Sequence, residues 1–187
     1  MKTEYEKMIS GEMYEAFRDP KLVEMRTEVR KIFREFNRTA DQKMLEDVFK
    51  QKLDGVFIEP PFHCDYGVNI ELGKNVYMNF GVTILDCAKV KIGDNCMLAP
   101  NVQIYTAAHP LDVETRNKGL EYALPVTIGK NCWIGGSVVI LPGVTIGDNC
   151  VIGAGSVVNK DIPPNSVAVG NPAKVKKVID NGQNKNN

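Results

Sequence analysis

Apolar residues recur at every sixth position between Leu72 and Val157, and a small residue follows four places after most of them. The clearest run begins at Ile134 and continues through Ile140, Ile146 and Ile152 without a gap. A six-residue period is typical of a parallel β-helix, in which each short strand buries its apolar face by stacking on its neighbours. The chain therefore predicts a mostly β fold, a parallel β-helix of hexapeptide repeats.

The period is broken twice. A slip of two residues precedes Ile92, and Ile104 and Ile128 are separated by four times the usual spacing. The second break predicts an extruded loop over residues 110–127, with His109 at its start. Long loops in compact repeat proteins usually carry function, so this loop is expected to belong to the active site.

The first 60 residues follow a helical pattern instead. Asp19-Pro20 is typical of a helix start, and apolar residues then recur at three- and four-residue spacing as far as Phe36. Asn37 is expected to end this helix, and Thr39 to Gln42 resembles a capping box for the next one. We predict an N-terminal helical hairpin in residues 1–60, a β-helix domain over 61–180, and a disordered polar tail over 181–187.

Three of the five cysteines occupy the fifth place of a repeat. If one coil holds 18 residues (three repeats), about 18 more being taken up by the loop, then Cys96, Cys132 and Cys150 stack on one inner face. Buried cysteine packs as a small apolar residue, and the closely spaced pairs of a zinc site are missing. We therefore expect reduced, buried thiols and no bound metal.

Composition narrows the function classes. The 187 residues include 23 basic and 23 acidic ones, which gives zero net charge and no basic surface for nucleic acid. No stretch is long and apolar enough to span a bilayer, and no secretory signal is evident. A location in the cytoplasm is expected.

Only two histidines are available as a proton acceptor at neutral pH, His63 and His109. The position of His109 at the start of the loop favours a catalytic base, and a merely exposed or structural histidine is the alternative. His63, among prolines and beside Cys64, is interpreted as structural.

Several motifs together resemble one enzyme family. These are Glu6 to Tyr14, Cys64 to Gly67, Asn79-Phe80, Tyr105 to Pro110, Asn131 to Gly136, Lys160-Asp-Ile-Pro and Gly170 to Ala173. They are similar to the hexapeptide-repeat acetyltransferases, above all to the maltose and galactoside O-acetyltransferases. The resemblance implies a left-handed β-helix, a homotrimer, and transfer of an acetyl group from acetyl-CoA to a sugar of the maltose or glucose type.

The resemblance also implies roles for individual residues. His109 is the general base. Asp65 and Asn79 match acceptor-binding positions, Tyr77 and Arg26 are further candidates for the sugar pocket, and Asp19 either contacts the acceptor or only caps a helix. For coenzyme A the matching positions are Gly136, Ala154, Asn159, Lys160, Lys174 and Lys177. Trp133 packs either near the pantetheine or against another subunit of the trimer. Lys174 and Lys177 belong either to the phosphate site of coenzyme A or to a solvated tail.

Two alternatives remain open at this point. One is an acetyltransferase with a non-sugar acceptor, and the other is a non-catalytic β-helix assembly protein. Hexapeptide enzymes that bind zinc through three histidines are excluded, because the chain has only two.

Overall fold

Three parallel sheets wrap around a common apolar core, as the six-residue period predicts. The computed structural model describes residues 2–180. Its helices are α1 (Glu4–Ile9), α2 (Pro20–Thr39), α3 (Met44–Phe49) and α4 (Val113–Asn117).

The strands are short, and most have two or three residues. In chain order they are β1 (Tyr14–Glu15), β2 (Phe57–Ile58), β3 (His63–Cys64), β4 (Ile70–Leu72), β5 (Tyr77–Met78), β6 (Thr83–Leu85), β7 (Val90–Ile92), β8 (Met97–Leu98), β9 (Gln103–Tyr105), β10 (Ala107–Ala108), β11 (Leu120–Ala123), β12 (Val126–Ile128), β13 (Trp133–Ile134), β14 (Val139–Ile140), β15 (Thr145–Ile146), β16 (Val151–Ile152), β17 (Val157–Val158), β18 (Ser166–Val169) and β19 (Lys174–Val178).

Each sheet forms one face of the β-helix. The first face contains β4, β7, β12 and β15, and the third face contains β3, β6, β9, β14 and β17. The second face contains β2, β5, β8, β13, β16 and β18, with β19 added antiparallel at its edge. The first, second and third corners are the turns that follow the strands of the corresponding face.

The strand register confirms the coil length. Ile128 pairs with Ile146, and Ile134 pairs with Ile152, so one coil advances the chain by 18 residues. Before the loop the step is 20 residues, as between Ile84 and Ile104, which confirms the predicted slip. The two additional residues lie in the third corner, between β3 and β4 in the first coil and between β6 and β7 in the next.

The inner face of the coils is mostly apolar, with Ser156 and Ser166 as buried polar exceptions. The repeat openers are buried, and so are Cys96, Cys132 and Cys150. The strands that follow these cysteines stack in register, since Trp133 pairs with both Met97 and Val151. The prediction that the three thiols stack on one inner face, one in each coil, is therefore confirmed.

Asparagine forms a second column, on the first corner. The residues are Asn75, Asn95, Asn131, Asn149 and Asn165, and each has a left-handed backbone with φ between 55° and 58°. The side-chain amide of each of the first four donates to the side-chain oxygen of the asparagine in the next coil, over 2.9–3.1 Å. Asparagine tolerates this conformation better than most residues, so one residue type both shapes the turn and links it to its neighbour.

The N-terminal helices cover one end of the β-helix, and two details of the sequence interpretation are wrong. Asn37 does not end α2, because the helix continues to Thr39 and ends at Ala40 with φ 57°. Thr39 to Gln42 is not a capping box. Instead, the Gln42 side chain bonds the backbone of Ile58, and Asn37 bonds that of Phe62, so tertiary contacts decide both positions.

The loop has secondary structure of its own. It contains α4 and β11, and it ends earlier than predicted, because β12 begins at Val126 and already pairs with β7. Strand β11 is antiparallel to both β10 and β1. The loop is thus attached to the start of the chain as well as to the coils.

A second apolar cluster lies between the N-terminal segment and the base of the loop. Its buried members are Met8, Tyr14, Ala16, Leu22, Tyr66, Cys87, Ala88 and Ala123. Among residues 2–180 there is no helix with the length and apolar character needed to cross a bilayer. The predicted tail over 181–187 lies outside the described residues.

Candidate functional site

The third corner brings the main candidate residues together. Asp65, Asp86 and Thr106 follow β3, β6 and β9 in three successive coils, and His109 follows β10 at the start of the loop. The Thr106 hydroxyl donates to the carbonyl of Leu85 and accepts from the amide of Ala88. These bonds join two coils directly beneath the loop.

His109 faces a buried carboxylate. Its Nε2 lies 3.7 Å from Oε1 of Glu121, and its side chain is 52% exposed, whereas that of Glu121 is 10% exposed. The other carboxylate oxygen of Glu121 accepts a 2.9 Å hydrogen bond from Tyr14. Burial, Cys87 and Glu121 together raise the pKa of Tyr14, so its hydroxyl remains a donor. The arrangement can stabilise a positive charge on His109.

Sequence reasoning missed Glu121 and Tyr14. They meet because β1 and β11 pair with Tyr14 opposite Glu121, although 107 residues separate them in the chain. The available signal was an acidic residue inside the predicted loop, and the loop has several of these. Without the β1–β11 pairing nothing distinguishes Glu121 from the others.

Asp65 stands beside a second buried acid, Asp86. Oδ1 of Asp86 accepts the backbone N–H groups of Asp65 and Tyr66, at 3.0 and 2.9 Å. Its Oδ2 is buried with no hydrogen-bond partner among the described residues. Burial raises the pKa of Asp86 to about 7. Asp86 thereby fixes the backbone that presents Asp65.

Asp65 itself is partly buried and reaches neighbours on two sides. Its Oδ1 lies 3.7 Å from Nη2 of Arg30, and its Oδ2 lies 3.7 Å from the Cys87 thiol. Burial raises the pKa of Asp65, and the charges of Arg30 and Arg26 oppose that shift. No acceptor role was assigned to Cys87 from the sequence, yet its thiol contacts Asp65.

Arg26 lies on α2, and Asp19 directly precedes that helix. Arg26 donates to the hydroxyl of Tyr66 and to the carbonyl of Ala16, and its guanidinium also lies over the Tyr66 ring, 5.6 Å from the centroid. Arg26 therefore joins the helix to the residue next to Asp65. Asp19 caps α2 by accepting from the amide of Leu22, which confirms the helix-cap interpretation and leaves an acceptor contact as a prediction.

The remaining acceptor candidates lie elsewhere on the β-helix. Asn79 is on the second corner, one residue before the column that contains Gly136 and Ala154, and its side chain accepts from the amide of Phe80. Tyr77 is on the outer side of the second face, where it stacks on Phe57 with ring centroids 6.4 Å apart. A single chain thus does not bring Asn79 and Tyr77 to His109.

The coenzyme A candidates are likewise divided. Asn159 and Lys160 are exposed at the third corner, two coils beyond His109. Trp133 lies on the second face and is 52% exposed, and Lys174 and Lys177 are exposed on β19 at the edge of that face. The candidates therefore form one group at the third corner and another on the second face and second corner.

Comparison with known proteins identifies the family. Residues 7–52 match the maltose acetyltransferase hexapeptide capping motif, and residues 125–160 match the bacterial transferase hexapeptide family of six repeats. Nodulation protein L of Rhizobium meliloti is 48% identical over 181 residues, which cover 94% of this chain and 98% of that protein.

Two solved structures are similar over nearly the whole chain. A maltose O-acetyltransferase from Clostridium difficile 630 has 52% identity and a TM-score of 0.93, covering 96% of this chain and 98% of that one. A galactoside acetyltransferase in complex with coenzyme A has 41% identity and a TM-score of 0.90, covering 96% and 92%. The chain therefore belongs to the maltose and galactoside O-acetyltransferase family of hexapeptide-repeat acetyltransferases.

Proposed function

We propose that this protein transfers the acetyl group of acetyl-CoA to a hydroxyl of a sugar of the maltose or glucose type, with His109 as the general base. The observation that carries the proposal is the pair formed by His109 and Glu121 at the start of the loop, 3.7 Å apart. Asp65 stands at the same corner of the β-helix, where an acceptor hydroxyl can be held.

In the proposed reaction His109 accepts the proton of the acceptor hydroxyl while its oxygen attacks the thioester carbonyl. The tetrahedral intermediate then collapses, the carbon–sulfur bond breaks, and the coenzyme A sulfur takes the proton from the imidazolium. Glu121 stabilises that imidazolium by its charge, since it is buried and its other oxygen is held by Tyr14. No acyl-enzyme forms, and the transfer is direct.

The site also needs donors for the oxyanion and a groove for coenzyme A. A backbone N–H at Gly136 can serve the oxyanion, and Ala154, Asn159 and Lys160 line the groove. Lys174 and Lys177 face the phosphates, and Trp133 packs near the pantetheine. In this proposal the protein is a homotrimer in which the second face of one subunit meets the third corner of another, so that the two groups of candidates form one site.

The two alternatives make different demands. A non-sugar acceptor would keep the same base and the same groove, and only the pocket around Asp65 would change. A non-catalytic assembly protein would not need a buried carboxylate beside an exposed histidine, so the His109–Glu121 pair favours an enzyme.

The test is acetyl transfer from acetyl-CoA to glucose, maltose, a β-galactoside and a non-sugar alcohol, each measured with wild type and with His109→Ala. We expect the highest kcat/KM for glucose or maltose, and a loss of about 10²–10⁴ in kcat for His109→Ala, the usual contribution of a general base. The control Glu114→Ala changes an exposed residue of the same loop and should keep wild-type activity.

Near-full activity of His109→Ala would contradict the mechanism. A clear preference for the β-galactoside or for the non-sugar alcohol would contradict the proposed acceptor class, and it would leave the role of His109 to be judged by the variant.

A further inference from the structure

A basic pocket adjoins Asp65 on the side away from the loop. It is a cavity of about 380 Å³ between α2 and the third face. Arg30 and Arg34 line it from one turn of α2, and His63 and Asp65 line it from the end of β3. It contains two guanidinium groups and one histidine but only one carboxylate.

The charges of this pocket are not balanced internally. Arg30 lies 3.7 Å from Asp65, which is longer than a hydrogen bond, and its side chain is 63% exposed. The Arg34 side chain forms no hydrogen bond or ion pair with any residue in the range 2–180. On the neighbouring turn of the same helix, by contrast, Arg38 pairs with Glu35 through two hydrogen bonds.

The walls of the pocket are held in place. Asn37 lines it and bonds both the N–H and the carbonyl of Phe62, which attaches α2 to the residue before β3. Phe33 packs against Phe62 with ring centroids 5.1 Å apart. The arginines thus project from a fixed helix, and a guanidinium can bind a carboxylate or phosphate through two parallel hydrogen bonds.

The pocket is continuous with the acceptor region. Asp65 lines it, and Asp65 is two stacked strands away from Thr106, a distance of about 10 Å at the usual strand spacing. His109 follows shortly after Thr106. An acceptor whose hydroxyl lies at His109 can therefore extend past Asp65 into the pocket.

We infer that the acceptor is a saccharide with an anionic group, a carboxylate or a phosphate, which Arg30, Arg34 and His63 bind at the end remote from the acetylated hydroxyl. This inference rests on the proposed function and specifies its substrate class. The anion forms charge-assisted hydrogen bonds with Arg34 and Arg30, and the neutral part of the saccharide lies along Asp65.

The experiment compares maltose, maltobionate and maltose 1-phosphate as acceptors, since all three keep the same non-reducing glucose. We expect wild type to have a kcat/KM at least about tenfold higher for an anionic acceptor than for maltose at low salt, the usual size of a hydrogen bond to a charged group. The ratio should fall as KCl is added. The better of the two anionic acceptors identifies the preferred group.

Arg34→Gln should bring the ratio of anionic to neutral kcat/KM close to one, whereas the matched control Arg38→Gln should keep the wild-type ratio. A wild-type ratio near one, or an equal effect of the two variants, would overturn the inference while maltose acetylation still supports the proposed function.

If none of the three saccharides is acetylated, the proposed function fails, and calorimetry decides the inference separately. Tighter binding of maltose 1-phosphate by wild type than by Arg34→Gln would support the basic pocket, and equal binding would overturn it.

Discussion

Two buried carboxylates, Glu121 and Asp86, lie next to the candidate residues His109 and Asp65. Glu121 faces the candidate base, and Asp86 supports the backbone of Asp65. Neither residue contacts the acceptor in the proposed reaction, so both are positioning residues. Their effects should be visible in measurements that a merely structural residue would not change.

Glu121→Gln keeps an oxygen that accepts from Tyr14 but removes the charge beside His109. We expect kcat to fall by about tenfold or more, because the imidazolium formed during transfer loses its stabilising partner. The KM for acetyl-CoA should hardly change, because Glu121 does not contact coenzyme A in the proposed reaction.

Tyr14→Phe is the control, since it removes a hydrogen bond to the same carboxylate and keeps the charge. An equal loss of kcat in both variants would show that Glu121 only supports the loop.

Asp86 makes stability depend on pH. Burial raises its pKa from 3.8 to about 7 in the folded protein. Below about pH 4 both states hold the proton, between pH 4 and 7 only the folded state does, and above pH 7 the folded state contains a buried charge. Its contribution therefore lowers the free energy of unfolding as pH rises through this window.

The measurement is urea denaturation of wild type and Asp86→Asn at pH 5 and pH 8, at one protein concentration. The variant can still accept from Asp65 and Tyr66 but does not ionise, so its advantage over wild type should be greater at pH 8. An equal difference in the free energy of unfolding at pH 5 and pH 8 would contradict the raised pKa of Asp86. The neighbouring groups Asp65, Cys64, Cys87 and Tyr5 are present in both proteins.

At the scale of the element, the asparagine column of the first corner combines two kinds of stabilisation. The left-handed turn costs most residues about 1–2 kcal/mol, and each side-chain hydrogen bond between the asparagines of neighbouring coils contributes about 1 kcal/mol. A substitution can remove either kind of stabilisation or both.

Asn131→Ala should lower the free energy of unfolding by about 3–4 kcal/mol, because it loses both hydrogen bonds of the Asn131 side chain and strains the turn. Asn131→Gly loses only the two side-chain hydrogen bonds, since glycine accepts a φ of 57° without strain. This variant should therefore lose about half as much free energy of unfolding as Asn131→Ala. Chemical denaturation checks the order, and an Asn131→Gly variant less stable than Asn131→Ala would contradict it.

The elements also show which sequence patterns are informative. Repeated patterns predicted the coil length, the slip before Ile92 and the column of cysteines, because every coil tests the same period again. The ends of α2 and α3 were predicted from single residues, and there Asn37 and Gln42 bond distant backbone instead of the nearest helix end. Strand β1 has two residues and no periodicity, so no local pattern could reveal it.

At the scale of the whole molecule, the second face carries a row of exposed apolar side chains on its outer side. Phe57, Met97 and Trp133 are each between 44% and 52% exposed. Rows of this kind usually mark an interface, which agrees with the proposed homotrimer.

Met97→Glu places a charge in this row without changing a residue of the proposed site. We expect sedimentation to detect dissociation and acetyl transfer to be lost with it, because the candidates at the third corner and on the second face are then separated. Val23→Glu, at an exposed apolar position of α2, should leave the assembly intact. An active monomer would contradict the shared site.

The candidate site was only partly predictable, because it depends on contacts between distant parts of the chain. Local motifs identified all five candidates, but only His109 and Asp65 lie at the third corner. Asn79, Gly136 and Tyr77 lie on other parts of the β-helix. A motif identifies a residue type in its local context, whereas the meeting of distant residues depends on strand pairing and, in our proposal, on assembly. Glu121 is the clearest case, since its role depends on β1.

The pairing of β1 with β11 also has a consequence for biosynthesis. A ribosome adds residues at about 5 to 20 per second, so Glu121 emerges roughly 5 to 20 s after Tyr14. During that interval the coils before the loop can stack one on another while β1 still lacks its partner. The nascent chain can therefore form part of its β-helix before its candidate site, and a translation product that ends before Glu121 lacks the His109–Glu121 pair.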